Sequence, residues 1–469
     1  NTGLKPINKQ FTSYVIPSVI GMVVQALYTI LDGVIVGQGI GEIALGAVNL
    51  VLPFNMTIIA LAMLIGIGGA NVYSIYKGQG ETEKANNIFC QCLALTAIVG
   101  GVLALAGFLF RENLVRFFGA NEDLLSSAAA YLKWLAPFAL IQTVSFGLSV
   151  FVRNDGAPKL AMTATIVGAV SNVILDIVLI LVLHYDIEAS AFTNGVGMVI
   201  ELIFYATHLT RKQGTLRIRK PTFQFSDIKR ILHNGAASFL MEFQQATISL
   251  SFNLALVRTV GTLGVSAYAI VNSMCALINM VLIGVSNGAQ PLMSFQHGKG
   301  DRQVFSHIYR LAIRTNIILP LLLVSIYSIF GREIASLFLT GNSELTELAA
   351  HMFRLYPLGY IVVGPLLINI LFFQTTEKNS YSTLLTFLRC IGFTQVFLLF
   401  FMYLLGANGI YLSFLAGELC HLILSQILVS RTRKRLSTEV GEKKATMQKT
   451  PVKSGYMITI SREYASGGR

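Results

Sequence analysis

Charge is what this chain of 469 residues has least of: Asp, Glu, Lys and Arg together make up 12% of it. Set against 54% hydrophobic residues and a mean hydropathy of +0.65, that scarcity excludes an ordinary soluble globular domain, in which about a quarter of the residues are charged. Cysteine is also sparse. The five, Cys90, Cys92, Cys275, Cys390 and Cys420, lie inside apolar runs without metal-ligand spacing, which excludes a cysteine-built metal site and leaves them as packing residues. No small-residue cleavage site follows the first apolar block, and the block is too long for a secretory signal.

What is present is apolar sequence in long blocks. Each is about 20 residues or more, enough to cross the roughly 30 Å hydrocarbon layer as a helix. Lipid offers the backbone no hydrogen-bond partners, and the blocks lack the alternation of a barrel strand, so helices are expected. Their lengths predict an all-α integral membrane protein with twelve spans. The first six are near 11–37, 46–76, 88–110, 127–151, 158–183 and 190–210. The second six are near 235–257, 264–292, 305–330, 345–373, 380–405 and 408–430.

Bases outnumber acids by 35 to 23, for a net charge of +12, and their placement orients the chain. Short cytoplasmic loops tend to keep Lys and Arg. With the amino terminus inside, the cytoplasmic joints hold Lys77, Lys84, Arg153, Lys159, Lys299, Arg302 and Lys378, together with Arg211 to Arg230 between the halves and Arg431 to Arg435 after the last span. Both ends are therefore predicted on the cytoplasmic side of a bacterial inner membrane. The positive charge reads as a membrane-surface collar, with no nucleic-acid partner required.

An internal repeat organises the chain. Adding 220 to Gln25, Gly41, Ala47, Gly68, Ser74, Gly78, Gly80 and Pro137 gives Gln245, Gly261, Ala267, Gly288, Ser294, Gly298, Gly300 and Pro357. Identities in one order at one ungapped offset predict two six-helix lobes related by duplication, 1–210 and 235–430, with a basic linker at 211–234. Two such bundles facing one another leave a central cavity.

Ionisable residues inside spans carry the functional signal, because a charge at the bilayer centre costs about 2.5 to 3.5 kcal/mol on insertion scales. Gly21, Gln25, Tyr28 and Asp32 form one stripe of the first helix, so Asp32 is expected to face the bundle and exchange a proton. Thr165, Asn172 and Asp176 share a face of the fifth, where carboxylate and amide oxygens could hold a proton or a small cation. The seventh helix has its own stripe, Glu242, Gln245, Ser249 and Asn253. Glu201 and Glu418 are isolated acids, with Arg389 as a counter-ion or an ordinary structural partner. Asp32 repeats as Phe252 and Asp176 as Val396, so the first half is the better candidate for cation coupling.

These residues resemble a known family. The run P-x-x-x-G-x-x-x-Q-x-x-Y-x-x-x-D-x-x-x-V-G from Pro17 to Gly37, then Pro53 and GIGGANVYSIYKGQGETEKA at 66–85, are similar to multidrug and toxic compound extrusion (MATE) transporters. So are RNDGAPK at 153–159, SNVILD at 171–176 and GAQPLMSFQHGKGD at 288–301, and the bacterial, MepA-like drug-efflux subgroup looks nearest. The resemblance covers about residues 11–430. It implies a non-enzymatic, monomeric antiporter without cofactor or bound structural metal, exchanging lipophilic cationic compounds for protons or sodium. It also implies cation coupling by Asp32, Asn172 and Asp176, and a substrate cavity lined by Gln25, Tyr28, Glu242, Gln245 and Ser249. One departure is Ala237 where the repeat partner is Pro17, which puts a bend there in doubt.

After Arg435 the composition turns polar, and 431–455 reads as a flexible charged linker. At 456–469, YMITISREYASGGR resembles the opening strand and loop of cytidylate kinase-like domains, with Ala465 where that pattern has glycine. A truncated fusion is the expectation there, and Asn1 in place of an initiating methionine fits a fragment. Two alternatives to the antiporter stay open: a lipid-linked precursor flippase, which calls for basic cavity residues, and a membrane-tethered nucleotide kinase.

Overall fold

A computed structural model of the chain describes residues 5–119, 122–212, 214–338 and 343–449. Among these residues there is no strand. The first lobe comprises α1 (Lys5–Gly39), α2 (Glu42–Gly78), α3 (Thr82–Leu109), a short surface helix α4 (Arg111–Phe117), α5 (Glu122–Asn154), α6 (Pro158–Asp176) continued by a π-helical stretch Ile177–Val182, and α7 (Glu188–Thr210). The second comprises α8 (Phe225–Thr259), α9 (Thr262–Lys299), α10 (Arg302–Phe338), α11 (Ser343–Leu355), α12 (Leu358–Thr375), α13 (Asn379–Ile391), α14 (Phe393–Leu405) and α15 (Ala407–Lys449). Eleven of the described helical stretches are apolar and long enough to span a bilayer. The twelfth span is α8, ample in length at 35 residues but made more polar by its Glu, Gln, Ser and Asn stripe.

Duplication is visible in the helix ends. The starts of α8, α9 and α10, at Phe225, Thr262 and Arg302, are the repeat partners of the starts of α1, α2 and α3, at Lys5, Glu42 and Thr82. Gly41 and Gly261 precede α2 and α9 with φ of 117° and 79°, and Gly80 and Gly300 follow them with φ of 81° and 77°. Those left-handed turns are strained for any residue with a Cβ, which accounts for two of the repeat identities.

Four expected boundaries change. The predicted tenth span is two helices, α11 and α12, meeting at Tyr356 and Pro357, and the eleventh is broken at Gly392. The inter-lobe linker is shorter than 211–234, because α8 begins at Phe225. Helix α15 continues to Lys449, so 436–449 is helical where composition suggested a flexible linker, and the kinase-like stretch 456–469 lies outside the described residues. By compactness the chain divides after Ser425, and the distal part of α15 belongs to the second unit.

The lobes meet through α2 with α8 and α1 with α9. A Cβ on Gly68 would strike the Ile231 carbonyl and the Gly235 backbone, and one on Gly288 would strike the Tyr14 and Val15 backbone. Likewise Gly78 faces Phe295 and Gly298 faces Ile75. Helix axes come this close only with small residues between them, as is usual in membranes. A buried amide chain runs across the same seam. Ser74 Oγ donates to Asn154 Oδ1 at 2.6 Å, Asn154 Nδ2 to Gln290 Oε1 at 2.9 Å, and Gln290 Nε2 to Asn71 Oδ1 at 2.5 Å. Asn71 Nδ2 in turn donates to Asn234 Oδ1 at 3.3 Å. These contacts cluster at the end of the bundle that carries the α2–α3 and α9–α10 turns.

At that end the linker is docked on the first lobe. Asp155, in the α5–α6 turn, accepts from Lys77 Nζ at 2.6 Å, His208 Nε2 at 3.0 Å, Tyr73 at 2.8 Å, and from Thr215 through N at 2.8 Å and Oγ1 at 2.6 Å. Burial alone would raise its pKa, but the hydrogen bonds from His208, Lys77 and Thr215 outweigh burial and hold the carboxyl well below the usual carboxylate range. Farther along, Arg217 N donates to Asn86 Oδ1 at 3.0 Å and Gln91 Nε2 to the Thr222 carbonyl at 2.9 Å, pinning the extended chain to α3.

Candidate functional site

Three helices of the first lobe bring the candidate residues together. Helix α1 packs on α6, and α6 on α7. Gly168 of α6 lies against the Gly197 carbonyl region of α7, an approach that larger side chains would prevent. Asp32 of α1 thereby comes beside Asp176 of α6 and Asn194 of α7. One turn earlier on α1, the Tyr28 hydroxyl donates to Asn194 Oδ1, and the Thr193 hydroxyl donates to Asp176 Oδ1. Asp176, Asn172, Thr193 and Ser190 are buried and Asp32 is half-buried.

This cluster is polar beyond what its own atoms satisfy. Asp32 Oδ1, Asp176 Oδ2, both amide atoms of Asn172 and Ser190 Oγ are buried without a hydrogen-bond partner. Buried polar atoms are nearly always paired, so several unpaired oxygens in one place mark a site for a proton, a water or a small hard cation. The π-helical stretch begins directly after Asp176. Such stretches are rare and concentrate at functional sites.

Of the residues expected for cation coupling, the structure brings Asp32 and Asp176 together, with Asn172 one turn away on the same helix. Tyr28 joins them through Asn194. Sequence reasoning missed Ser190, Thr193 and Asn194, although S-x-x-T-N inside an apolar span was a readable signal. Glu201, two turns along α7 from Asn194, sits half-buried against Gly168. Gln25 is exposed.

The α8 stripe forms a separate group. Glu242, Gln245 and Ser249 are half-buried, and Gln245 Nε2 approaches Asn272 Oδ1 at 3.5 Å. Arg389 and Glu418 meet far from either group in sequence. Arg389 Nε donates to Glu418 Oε2 at 3.0 Å and Nη2 to Oε1 at 3.1 Å, and both side chains are buried. Among the described residues no cluster of three or more His, Cys, Asp or Glu could hold a metal ion.

Comparison with known proteins adds three findings. A model of the MatE family matches residues 17–178 and 237–408, two segments whose first positions are partners in the internal repeat. Multidrug export protein MepA of Staphylococcus saprophyticus is 24% identical over 449 residues, 92% of this chain and 96% of that protein. MepA of Staphylococcus haemolyticus is 23% identical over 448 residues, 92% and 95% of the two chains. A solved structure described as the outward-facing conformation of a multidrug resistance MATE family transporter superposes with a TM-score of 0.86 at 24% identity, over 91% of this chain and 96% of that one. A MOP superfamily transporter from Pyrococcus furiosus superposes at 0.84 and 24% identity, over 91% and 95%, which shows the same two-lobed, twelve-helix fold.

Proposed function

Because the chain belongs to the MatE family, we propose that it is a multidrug efflux transporter that works as an antiporter, exporting lipophilic cationic compounds in exchange for protons or sodium. The observation that carries the coupling is the meeting of Asp32 and Asp176 within the first lobe. Two neighbouring carboxylates, one buried and one half-buried, repel unless a proton or a cation lies between them. Loading the pair draws α1 toward α6, and unloading it drives them apart. Helix α1 also packs against α9 of the other lobe, so its position is read across the seam.

Transport then follows from linkage. An ion bound at the pair and a cationic substrate compete for the same negative potential, and each favours the conformation that suits it. The seam is closed at the end carrying Lys77, Arg153, Lys299 and Lys378, the end that the distribution of basic loops assigns to the cytoplasm. That arrangement supports an outward-open state in an inner membrane. Aromatic and methionine side chains with a few carboxylates suit delocalised cations, without a fixed hydrogen-bond code. The flippase alternative loses its main support, since Arg389 is held by Glu418.

Uptake of a fluorescent lipophilic cation into everted vesicles, whose lumen corresponds to the cell exterior, under a pH gradient and separately under a sodium gradient, tests the proposal. The intact chain should export under one gradient, and Asp32→Asn or Asp176→Asn should abolish the driven component. Equal transport by either variant would sink the coupling role.

A further inference from the structure

The second lobe contains a broken span that the coupling scheme above leaves unused. Helix α13 ends at Ile391 and α14 begins at Phe393, with Gly392 between them at φ −96° and ψ −123°. A break at membrane depth releases carbonyls that lipid cannot satisfy. Here side chains meet the backbone at the break: the Cys390 carbonyl accepts from Gln395 Nε2 at 2.8 Å, and the Leu388 carbonyl, which keeps its helical bond from Gly392 N at 2.6 Å, also accepts from His421 Nε2 at 3.0 Å.

That arrangement fixes the histidine. Donation from Nε2 to a carbonyl requires the hydrogen there, so Nδ1 presents a lone pair. His421 is 0% exposed, and its Nδ1 has no hydrogen-bond partner and faces Glu418 Oε2 at 3.9 Å. Thr394 Oγ1 and Gln395 Oε1, beside the break, are likewise buried and unpartnered. The charged and titratable neighbours are few: Arg389 and Cys390 from α13, Tyr360 from α12, and Glu418 on α15 itself. Helix α14 contributes the Phe393 ring, 5.0 Å from the imidazole.

The repeat gives the location meaning. At the offset that relates the lobes, Gly392 is the partner of Asn172, Gly417 of Gly197, and His421 of Glu201. A basic side chain thus occupies, in the second lobe, the place of the half-buried acid that packs against Gly168 in the first.

We infer that the break in the second lobe is a second proton-binding site, in which His421 takes up a proton at Nδ1 opposite the Glu418 carboxylate. The proton comes from a hydronium ion: one O–H bond breaks, leaving water, one N–H bond forms at Nδ1, and no oxidation state changes. Before uptake, Arg389 and Glu418 neutralise each other. Afterwards Glu418 is shared between guanidinium and imidazolium, and the cluster carries one net positive charge. A buried net charge is costly, so the loaded form favours a packing of α13 and α14 against α15 that admits water. Proton uptake would in this way select a conformation of the second lobe. Its effect on transport rests on the efflux reading, but the protonation itself does not.

Histidine-selective isotope labelling of the full chain in lipid nanodiscs tests the site by NMR. The chain has seven histidines, and His421→Gln, which keeps a donor for the Leu388 carbonyl, identifies the signal by its loss. That signal should titrate reversibly between about pH 5 and pH 8, with a midpoint that changes in Glu418→Asp, a variant that keeps the charge on Arg389's partner. A His421 signal in one protonation state from about pH 5 to pH 9 would overturn the site. In vesicles, His421→Gln should narrow the pH range over which efflux changes, and a profile superimposed on the unaltered chain would overturn the link to transport. Vesicles that export nothing would defeat the efflux reading alone, with the titration still deciding the site.

Discussion

Gly68 of α2 lies so close to Gly235 of α8 that a single added Cβ would overlap backbone on the facing helix. The same relationship recurs at the partner positions of the repeat, where Gly288 of α9 meets Val15 of α1. Backbone cannot move aside as a side chain can, so added bulk at either seam must separate the lobes.

Gly68→Ala and Gly288→Ala are therefore expected to open the closed end. Overpacking costs about 1 to 3 kcal/mol, which shifts a two-state equilibrium about fivefold to over a hundredfold. Distances between spin labels on the α2–α3 and α9–α10 turns should lengthen in both variants. Unchanged distances would mean that the seam does not close the gate.

The amide chain across the seam predicts a second effect. Gln290→Leu removes one bond each from the Asn154 amide, which keeps the Val150 carbonyl, and from Asn71 Oδ1, which keeps Ser294 Oγ, at about 0.5 to 1.5 kcal/mol per lost bond. The closed state alone makes those bonds, so the variant should melt earlier in detergent and also populate the separated state. The double variant Gln290→Leu with Asn71→Leu should lose less than the sum of the single losses, since the two act through one bond. Additive losses would disprove the chain.

Asp155 sets a pH dependence whose sign can be worked out. Its folded pKa lies below the ordinary value of about 3.9, so its stabilising contribution is present above about pH 4 and is lost as pH falls through the lower folded value. Asp155→Ala should destabilise the linker docking by about 2 to 3 kcal/mol, through lost bonds to Lys77, His208 and Thr215. Proteolysis within 214–222 should accelerate at neutral pH. The difference in melting temperature from the unaltered chain should hold from pH 8 to about pH 4 and shrink below it. A difference that grew on acidification would contradict the assignment.

Asp32 and Asp176 should behave as one unit. If a single proton or cation lies between them, the Asp32→Asn and Asp176→Asn variants each lose the coupled component of transport, and the double variant is no worse than either. Vesicle efflux under the effective gradient measures all three. A double variant slower by the product of the single effects would mean two independent sites.

Much of this protein was readable along the chain. Twelve spans follow from block length, because lipid requires every backbone group to be paired within a helix. The two lobes follow from the internal repeat, and the structure supplies its reason: Gly41, Gly80 and their partners hold left-handed turns, while Gly68, Gly78 and theirs sit where the lobes touch. Asp32 and Asp176 were also legible, since a carboxylate inside a span demands a partner. Only tertiary structure decided who those partners are. Thr193 and Asn194 reach the site because α7 crosses α6 at Gly168 and Gly197, a contact between separate spans that no periodicity encodes. The break at Gly392, inside an apolar run of spanning length, was hidden for a like reason, whereas Pro357 marked the one before α12. Hydropathy counts apolar side chains, whereas the break is held by polar ones: Gln395 reaches back to the Cys390 carbonyl, and His421 of α15 adds a second donor to the Leu388 carbonyl.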